Sequence, residues 1–153
     1  MVFLLSRKIL GNKRNFRFCA TGTSMFPMIR SGDVATVTPA DPEDISSGDV
    51  VLYHAGERLY IHRVISVRRE GPDTWLIARG DNLKYPDPPV HMSQVLGKVI
   101  SVERNGMTID LASPARKLAG SIIACFPLYL FFRPAFLIAR MTGKIELKAQ
   151  PGL

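Results

Sequence analysis

T-G-T-S-M-F-P-M-I-R-S-G-D, residues 21–33, sets Ser24 between a glycine-led turn and a Met-x-Pro, and ends on a Gly-Asp turn. Gly22 lets the backbone bend where a residue with a Cβ would clash. Pro27 has no amide hydrogen, so the chain around it does not continue as an interior strand of a sheet. An irregular edge of this kind has two readings. It is a polar turn between strands, or it pins a serine whose hydroxyl and neighbouring backbone amides face a ligand. The stretch alone leaves them even, and the chain around it decides.

Upstream, F-R-F-C-A-T (16–21) alternates as a strand. Downstream, V-A-T-V-T from Val34 reads as a strand entered from the Gly32-Asp33 turn, and 39–47 reads as loop. A second Gly-Asp, at 48 and 49, opens V-V-L-Y-H, which Ala55-Gly56-Glu57 turns back into R-L-Y-I-H-R-V-I-S-V-R-R as a hairpin. T-W-L-I-A from Thr74 is the next strand, closed by a third Gly-Asp at 80 and 81. Residues 83–89 hold Pro86, Pro88 and Pro89 and are irregular. V-L-G-K-V-I-S-V-E-R from Val95, Asn105-Gly106 and M-T-I-D-L make a closing hairpin of the kind Asn-Gly favours. Short strands, close turn signals and almost no helical periodicity before Leu111 predict a mainly β fold, a compact β-barrel or folded sheet.

The chain is 153 residues, one domain by size, with 46% hydrophobic and 22% charged residues, an ordinary globular balance. Its +7 charge and pI near 9.8 suggest an anionic neighbour. The basic residues are scattered (Arg7, Lys8, Lys13 and Arg14, then Arg68 and Arg69, then Arg116 and Lys117), without a long run or an aromatic-interleaved stripe. That favours a membrane surface or plain solubility over specific nucleic-acid reading. Cys19 and Cys125 lack a C-x-x-C partner or a histidine at metal spacing, so both read as buried free thiols and structural zinc is not expected.

The two ends differ from the middle. Residues 1–5 are apolar but too few for a signal-peptide core or a membrane span. A short amphipathic helix through Leu10 is expected, ended by Gly11-Asn12. From 118 to 132 the chain carries no charge, and after Arg133-Pro134 comes A-F-L-I-A. The uncharged run is short for a spanning helix, and extending it to 139 takes in a charge and a helix-breaking pair. Basic residues flank both sides, so orientation is unreadable. A kinked or interfacial membrane helix is the favoured expectation; a hydrophobic hairpin covering the sheet or forming a dimer interface is the alternative. The expected organisation is an arm at 1–14, a β domain at 15–112 and a hydrophobic segment with a basic tail at 113–153.

A serine hydroxyl needs a base to take its proton, and His62 is the best candidate. Alternation in I-H-R-V-I-S-V puts Ile61, Arg63 and Ile65 on one face and His62, Val64 and Ser66 on the other. Imidazole titrates near neutrality, so part of it is free to accept a proton at pH 7. A lone strand histidine is more often structural. His54, at a hairpin end, and His91, after the proline-rich loop, are weaker candidates. A carboxylate that fixes the tautomer would complete the set. Asp81 and Asp87 are available, though each reads equally as a turn residue satisfying local amides.

Ser24-Met25-x-Pro27, Gly32-Asp33, Gly48-Asp49-Val50-Val51, His62-Arg63-Val64 and Gly80-Asp81-Asn82 resemble, in order and rough spacing, the type I signal peptidases. Their superfamily also holds the LexA-like self-cleaving repressors. The resemblance covers about 21–102. The bacterial branch has a lysine where His62 stands, giving a Ser-Lys dyad. Histidine there is similar to the archaeal and endoplasmic-reticulum branch, where Ser, His and Asp act. The resemblance implies Ser24 as nucleophile, His62 as general base, Asp87 as third member and Asp81 as a second acid. It also implies an oxyanion met by the Ser24 amide, helped by the amide or hydroxyl of Thr23. Gly22-Thr23-Ser24-Met25 is closer to the LexA-like form than to the usual Ser-Gly-Ser-Met of the peptidases. No N-terminal anchor and no helix-turn-helix are expected.

The expectation is therefore a serine endopeptidase of signal-peptidase-like fold, without metal or organic cofactor. Its partner would be a peptide or protein whose extended segment pairs with an open sheet edge near Met25 and Pro27. By resemblance, the substrate is a leader or signal peptide with small residues before the cut. The protein is expected at a membrane through 118–139, with a cytoplasmic location as the alternative. One rival is a non-catalytic peptide-binding module on the same fold. Another is a basic nucleic-acid-binding barrel, ranked last because the sequence shows no aromatic stacking platform.

Overall fold

The computed structural model describes residues 14–113 and the single positions 115, 119 and 122. The expected N-terminal helix and the hydrophobic segment 118–139 fall, apart from such isolated positions, outside the described residues. Within them lie eight strands: β1 (Phe16–Cys19), β2 (Val34–Thr38), β3 (Val50–Ala55), β4 (Arg58–Glu70), β5 (Asp73–Arg79), β6 (Val90–His91), β7 (Val95–Arg104) and β8 (Met107–Asp110). Between residues 14 and 113, helix is confined to 3-10 turns at Pro42–Asp44 and Met92–Gln94. No helix among the described residues is long and apolar enough to cross a membrane.

The strands follow the apolar alternation and the turn chemistry. In β2 Ala35 and Val37 are buried while their neighbours are half-buried, the period of two that a pleated strand imposes. β7 and β8 turn at Asn105 (φ 50°) and Gly106 (φ 76°). A two-residue hairpin needs positive φ at both positions, and asparagine and glycine tolerate it best.

The sheet is antiparallel, in the order β1-β2-β7-β3-β4-β5-β6 with β8 on β7. Its ends do not pair, so it is an open sheet and not a closed barrel. The long β4 explains the shape. Residues 58–63 pair with β3, whereas the pairing with β5 begins only at Arg63. The two partners overlap at a single residue, which leaves the first half of β4 as an open edge.

β3 is the hub, because it is buried on both faces. Val50 and Leu52 join one core with Phe16, Met25, Ile29, Val37 and Val102. Val51 and Tyr53 join the other with Ile45, Val64, Leu76, Ala78 and Val90. Each fully buried aliphatic side chain contributes about 1.5–3 kcal/mol.

Two expectations are corrected. A register shift between Val64 and Ser66 changes the phase of β4. Ser66 is exposed, and Val67 instead packs on the face of Val64, as an inserted bulge residue requires. Cys19 is exposed, not buried. Phe16 and Phe18 turn to the core side of edge strand β1, so alternation sends Cys19 to the opposite side.

Candidate active site

Ser24 lies in an irregular turn between β1 and β2. Gly22 takes φ 91°, and the Phe26 and Ile29 N–H groups donate to the Thr23 and Met25 carbonyls at 3.1 and 2.9 Å. Met25 is buried and anchors the turn in the first core. The third Gly-Asp block holds the turn from the other side. The Asn82 N–H donates to the Ser24 carbonyl at 2.8 Å, and Asn82 Nδ2 donates to the Thr23 carbonyl at 3.2 Å. Gly80 sits so close that a Cβ there would lie 2.6 Å from the Ser24 carbonyl oxygen. Among the described residues, neither the Ser24 hydroxyl nor its N–H has a hydrogen-bond partner.

His62 is buried on the open half of β4, opposite Val51 of β3. Its Nδ1 is 2.6 Å from Asp87 Oδ2. A carboxylate accepts a hydrogen bond from a ring N–H, so this bond places the proton on Nδ1 and leaves Nε2 as acceptor. Asp87 reaches His62 from the proline-rich loop. Its own N–H donates to the Ala78 carbonyl at 2.8 Å, and the flanking prolines restrict the loop.

Asp81, the other predicted acid, is not at the imidazole. It accepts from Arg63 Nε and Nη2, both at 2.8 Å, while Arg63 Nη1 donates to the Gly48 carbonyl at 2.7 Å. Both side chains are almost wholly buried, so the pair is a desolvated, two-pronged brace between β4, the Gly48 turn and the Gly80 turn. The other Gly-Asp blocks follow the same plan. Asp33 accepts from the Arg30 N–H at 2.7 Å and from Arg104 Nε and Nη2 at 2.9 and 2.6 Å. The Arg104 hydrogen bonds hold its carboxyl below the usual range against the opposing effect of burial. Asp49 accepts from the Ser46 N–H at 3.0 Å and faces Lys98 Nζ at 3.5 Å. All three carboxylates are buried.

Ser24 and His62 line one cavity of about 380 Å³, with Met25, Ile29, Leu52 and Ile61 supplying apolar walls. β1 residues Phe18 and Cys19 form one rim and β4 residues 59–62 the other. Both are strand segments with one side unpaired among the described strands. Thr23 is exposed and Pro27 half-buried after a cis peptide bond; neither is among the described residues lining the cavity. His54 Nδ1 lies 3.2 Å from the Gly56 carbonyl at its hairpin. His91 caps the 3-10 turn by accepting from the Ser93 N–H. Neither histidine lines the cavity.

Sequence reasoning missed Tyr53. Its ring lies edge-on to His62, 6.2 Å between centroids, and its hydroxyl is 3.4 Å from His62 Nδ1. Burial first, then the nearby Asp87 carboxylate, push the phenol well above its ordinary range. The signal available was the hairpin register, since Val51 and Tyr53 of β3 share the face that His62 occupies on β4.

The structure is an open antiparallel sheet in which a turn-borne serine and a carboxylate-bound histidine line one cavity. The chain belongs to the Peptidase S24-like family, whose model matches residues 3–100. That family lies within the superfamily of LexA-like proteins and signal peptidases, and serine-protease-type activity goes with it. No curated protein matches the chain significantly.

Proposed function

We propose that the protein is a serine endopeptidase of the Ser-His-Asp kind, related in mechanism to the archaeal and endoplasmic-reticulum signal peptidases. The observation that carries this reading is the 2.6 Å bond from His62 Nδ1 to Asp87 on the wall of the cavity that Ser24 also lines. The hydroxyl and imidazole do not yet hydrogen-bond, and such contacts commonly tighten only when substrate binds.

An extended substrate segment lies along the cavity between the rims at β1 and β4, pairing with their open edges. Ser24 Oγ attacks the carbonyl carbon and passes its proton to His62 Nε2, with Asp87 stabilising the imidazolium. The Ser24 N–H meets the developing oxyanion. Collapse of the tetrahedral intermediate breaks the C–N bond, and the imidazolium gives its proton to the leaving amine. Water, deprotonated by His62, then attacks the acyl-enzyme; collapse breaks the ester bond and the imidazolium returns the proton to Ser24. The substrate is a leader-type peptide with small residues before the cut.

The test is cleavage of a library of unstructured peptides by purified protein, alongside covalent labelling of Ser24 with a fluorophosphonate. Ser24→Ala and His62→Ala should each abolish cleavage while the circular dichroism spectrum stays unchanged. Undiminished turnover by Ser24→Ala would exclude this nucleophile. Peptide binding without turnover, retained in Ser24→Ala, would identify a binding module.

A further inference from the structure

Arg30 is the one residue with a fixed charge among the described residues that line the cavity of Ser24 and His62; no aspartate or glutamate lines it. It stands just past the turn that carries Ser24. Its backbone is tied down, since its N–H donates to Asp33 Oδ2 at 2.7 Å and its carbonyl accepts from the Asp33 N–H at 3.1 Å. Its side chain is exposed, with the guanidinium carbon 5.6 Å from the centre of the Phe26 ring. Arg17, Arg63, Arg68 and Arg104 each pair with a carboxylate. The Arg30 guanidinium has no hydrogen bond or ion pair among the described residues. Asp33, close to it in the chain, already gives both oxygens to Arg104. A cation on an aromatic face keeps its N–H donors for another partner.

We infer that Arg30 is a specificity residue of the site, binding an acidic side chain of the extended segment held in the cavity. The inference deepens the peptidase reading and rests on it: the preferred substrate carries an aspartate or glutamate close to the bond that Ser24 attacks. Three features favour this pairing. The planar guanidinium matches a carboxylate with two parallel hydrogen bonds. The apolar walls at Met25, Ile29, Leu52 and Ile61 exclude water and strengthen the attraction between opposite charges. The contact with Phe26 restrains the side chain before substrate arrives, so less freedom is lost on binding. A basic substrate residue at the same place meets a like charge instead, which turns the preference into discrimination.

The experiment measures binding apart from turnover. Fluorescent, unstructured peptides with blocked ends, each carrying glutamate, glutamine or lysine at one scanned position, are titrated into full-length Ser24→Ala by fluorescence anisotropy. Blocking the ends removes the terminal carboxylate as a rival source of charge. At the position facing Arg30, glutamate should bind about tenfold more tightly than glutamine, and lysine more weakly than either. Added salt should shrink the difference. With Arg30→Gln added the difference should vanish, with Arg30→Glu it should reverse in favour of lysine, and with Arg30→Lys most of it should remain. That charge-keeping variant separates recognition from any structural part Arg30 plays against Phe26. Equal affinity for glutamate and glutamine at every position overturns the inference, as does binding of none of the peptides or a preference that survives Arg30→Gln. Fluorophosphonate labelling of the wild type reports on the peptidase reading separately. Its absence counts against that reading, while the anisotropy still decides whether Arg30 selects a carboxylate.

Discussion

At the scale of single residues, two aspartates one loop apart have opposite duties. Asp87 keeps partial access to water and orients an imidazole; Asp81 is sealed against Arg63. Asp87→Asn should lower kcat by about two to four orders of magnitude, because an amide stabilises the wrong tautomer and no imidazolium. Its denaturation midpoint should barely move. Asp81→Asn and Arg63→Met should do the reverse in weight, each destabilising the fold by about 3–5 kcal/mol through an uncompensated buried partner. Urea unfolding of the three variants, set beside their turnover, separates the roles. Equal loss of stability in Asp87→Asn would show that the carboxylate is a brace and not an orienting group.

At the scale of elements, the serine turn depends on the turn after β5. Gly80 is there because the Ser24 carbonyl passes too near for any side chain. Gly80→Ala must push the turns apart, at about 1–3 kcal/mol of overpacking, and should cut turnover more than its stability loss predicts. Gly106→Ala at the exposed β7–β8 turn strains a positive φ with nothing near the added methyl. It should cost about 1 kcal/mol and leave the rate per folded molecule untouched. Thermal melts and single-turnover rates on the pair test whether the Ser24 turn is coupled to Gly80 specifically.

The strand pattern was legible at this scale, including both hairpins, because alternation and turn residues are local signals. The bulge in β4 was not. An extra residue between Val64 and Ser66 is chosen by the two different partners of that strand, β3 before Arg63 and β5 after it. No run of side chains along β4 announces that change of partner.

At the scale of the whole molecule, the Asp33 carboxylate makes acid stability a property of the fold. Arg104 depresses the pKa of Asp33, so its contribution is complete above the unfolded-state pKa and is lost as pH falls through the lower folded-state pKa. Melting temperatures measured from pH 6 to pH 2 should drop in the acid range, and Asp33→Asn should flatten that drop while lowering stability at neutral pH. An equally steep acid limb in the variant would remove Asp33 from the account. The uncharged run at 118–132 carries a separate proposal, that the chain associates with membranes. Full-length protein should float with anionic vesicles, and Ile123→Lys with Leu130→Lys should release it. Identical flotation of the double variant would place any attachment elsewhere.

The strands in chain order and the turn positions were determined by the sequence itself, since each rests on residue type and short spacing, and the sequence also singled out Ser24 and His62 as candidates. Which acid serves His62 was decided only in three dimensions. Asp81 and Asp87 are alike in chemistry and both follow β5, but Arg63, beside His62 on the opposite face of β4, claims the first. The proline-rich loop, tied at Ala78, carries the second to the imidazole. Tyr53 came from the same source: strand register sets its ring and hydroxyl against His62, and that register is not written in the residues around it.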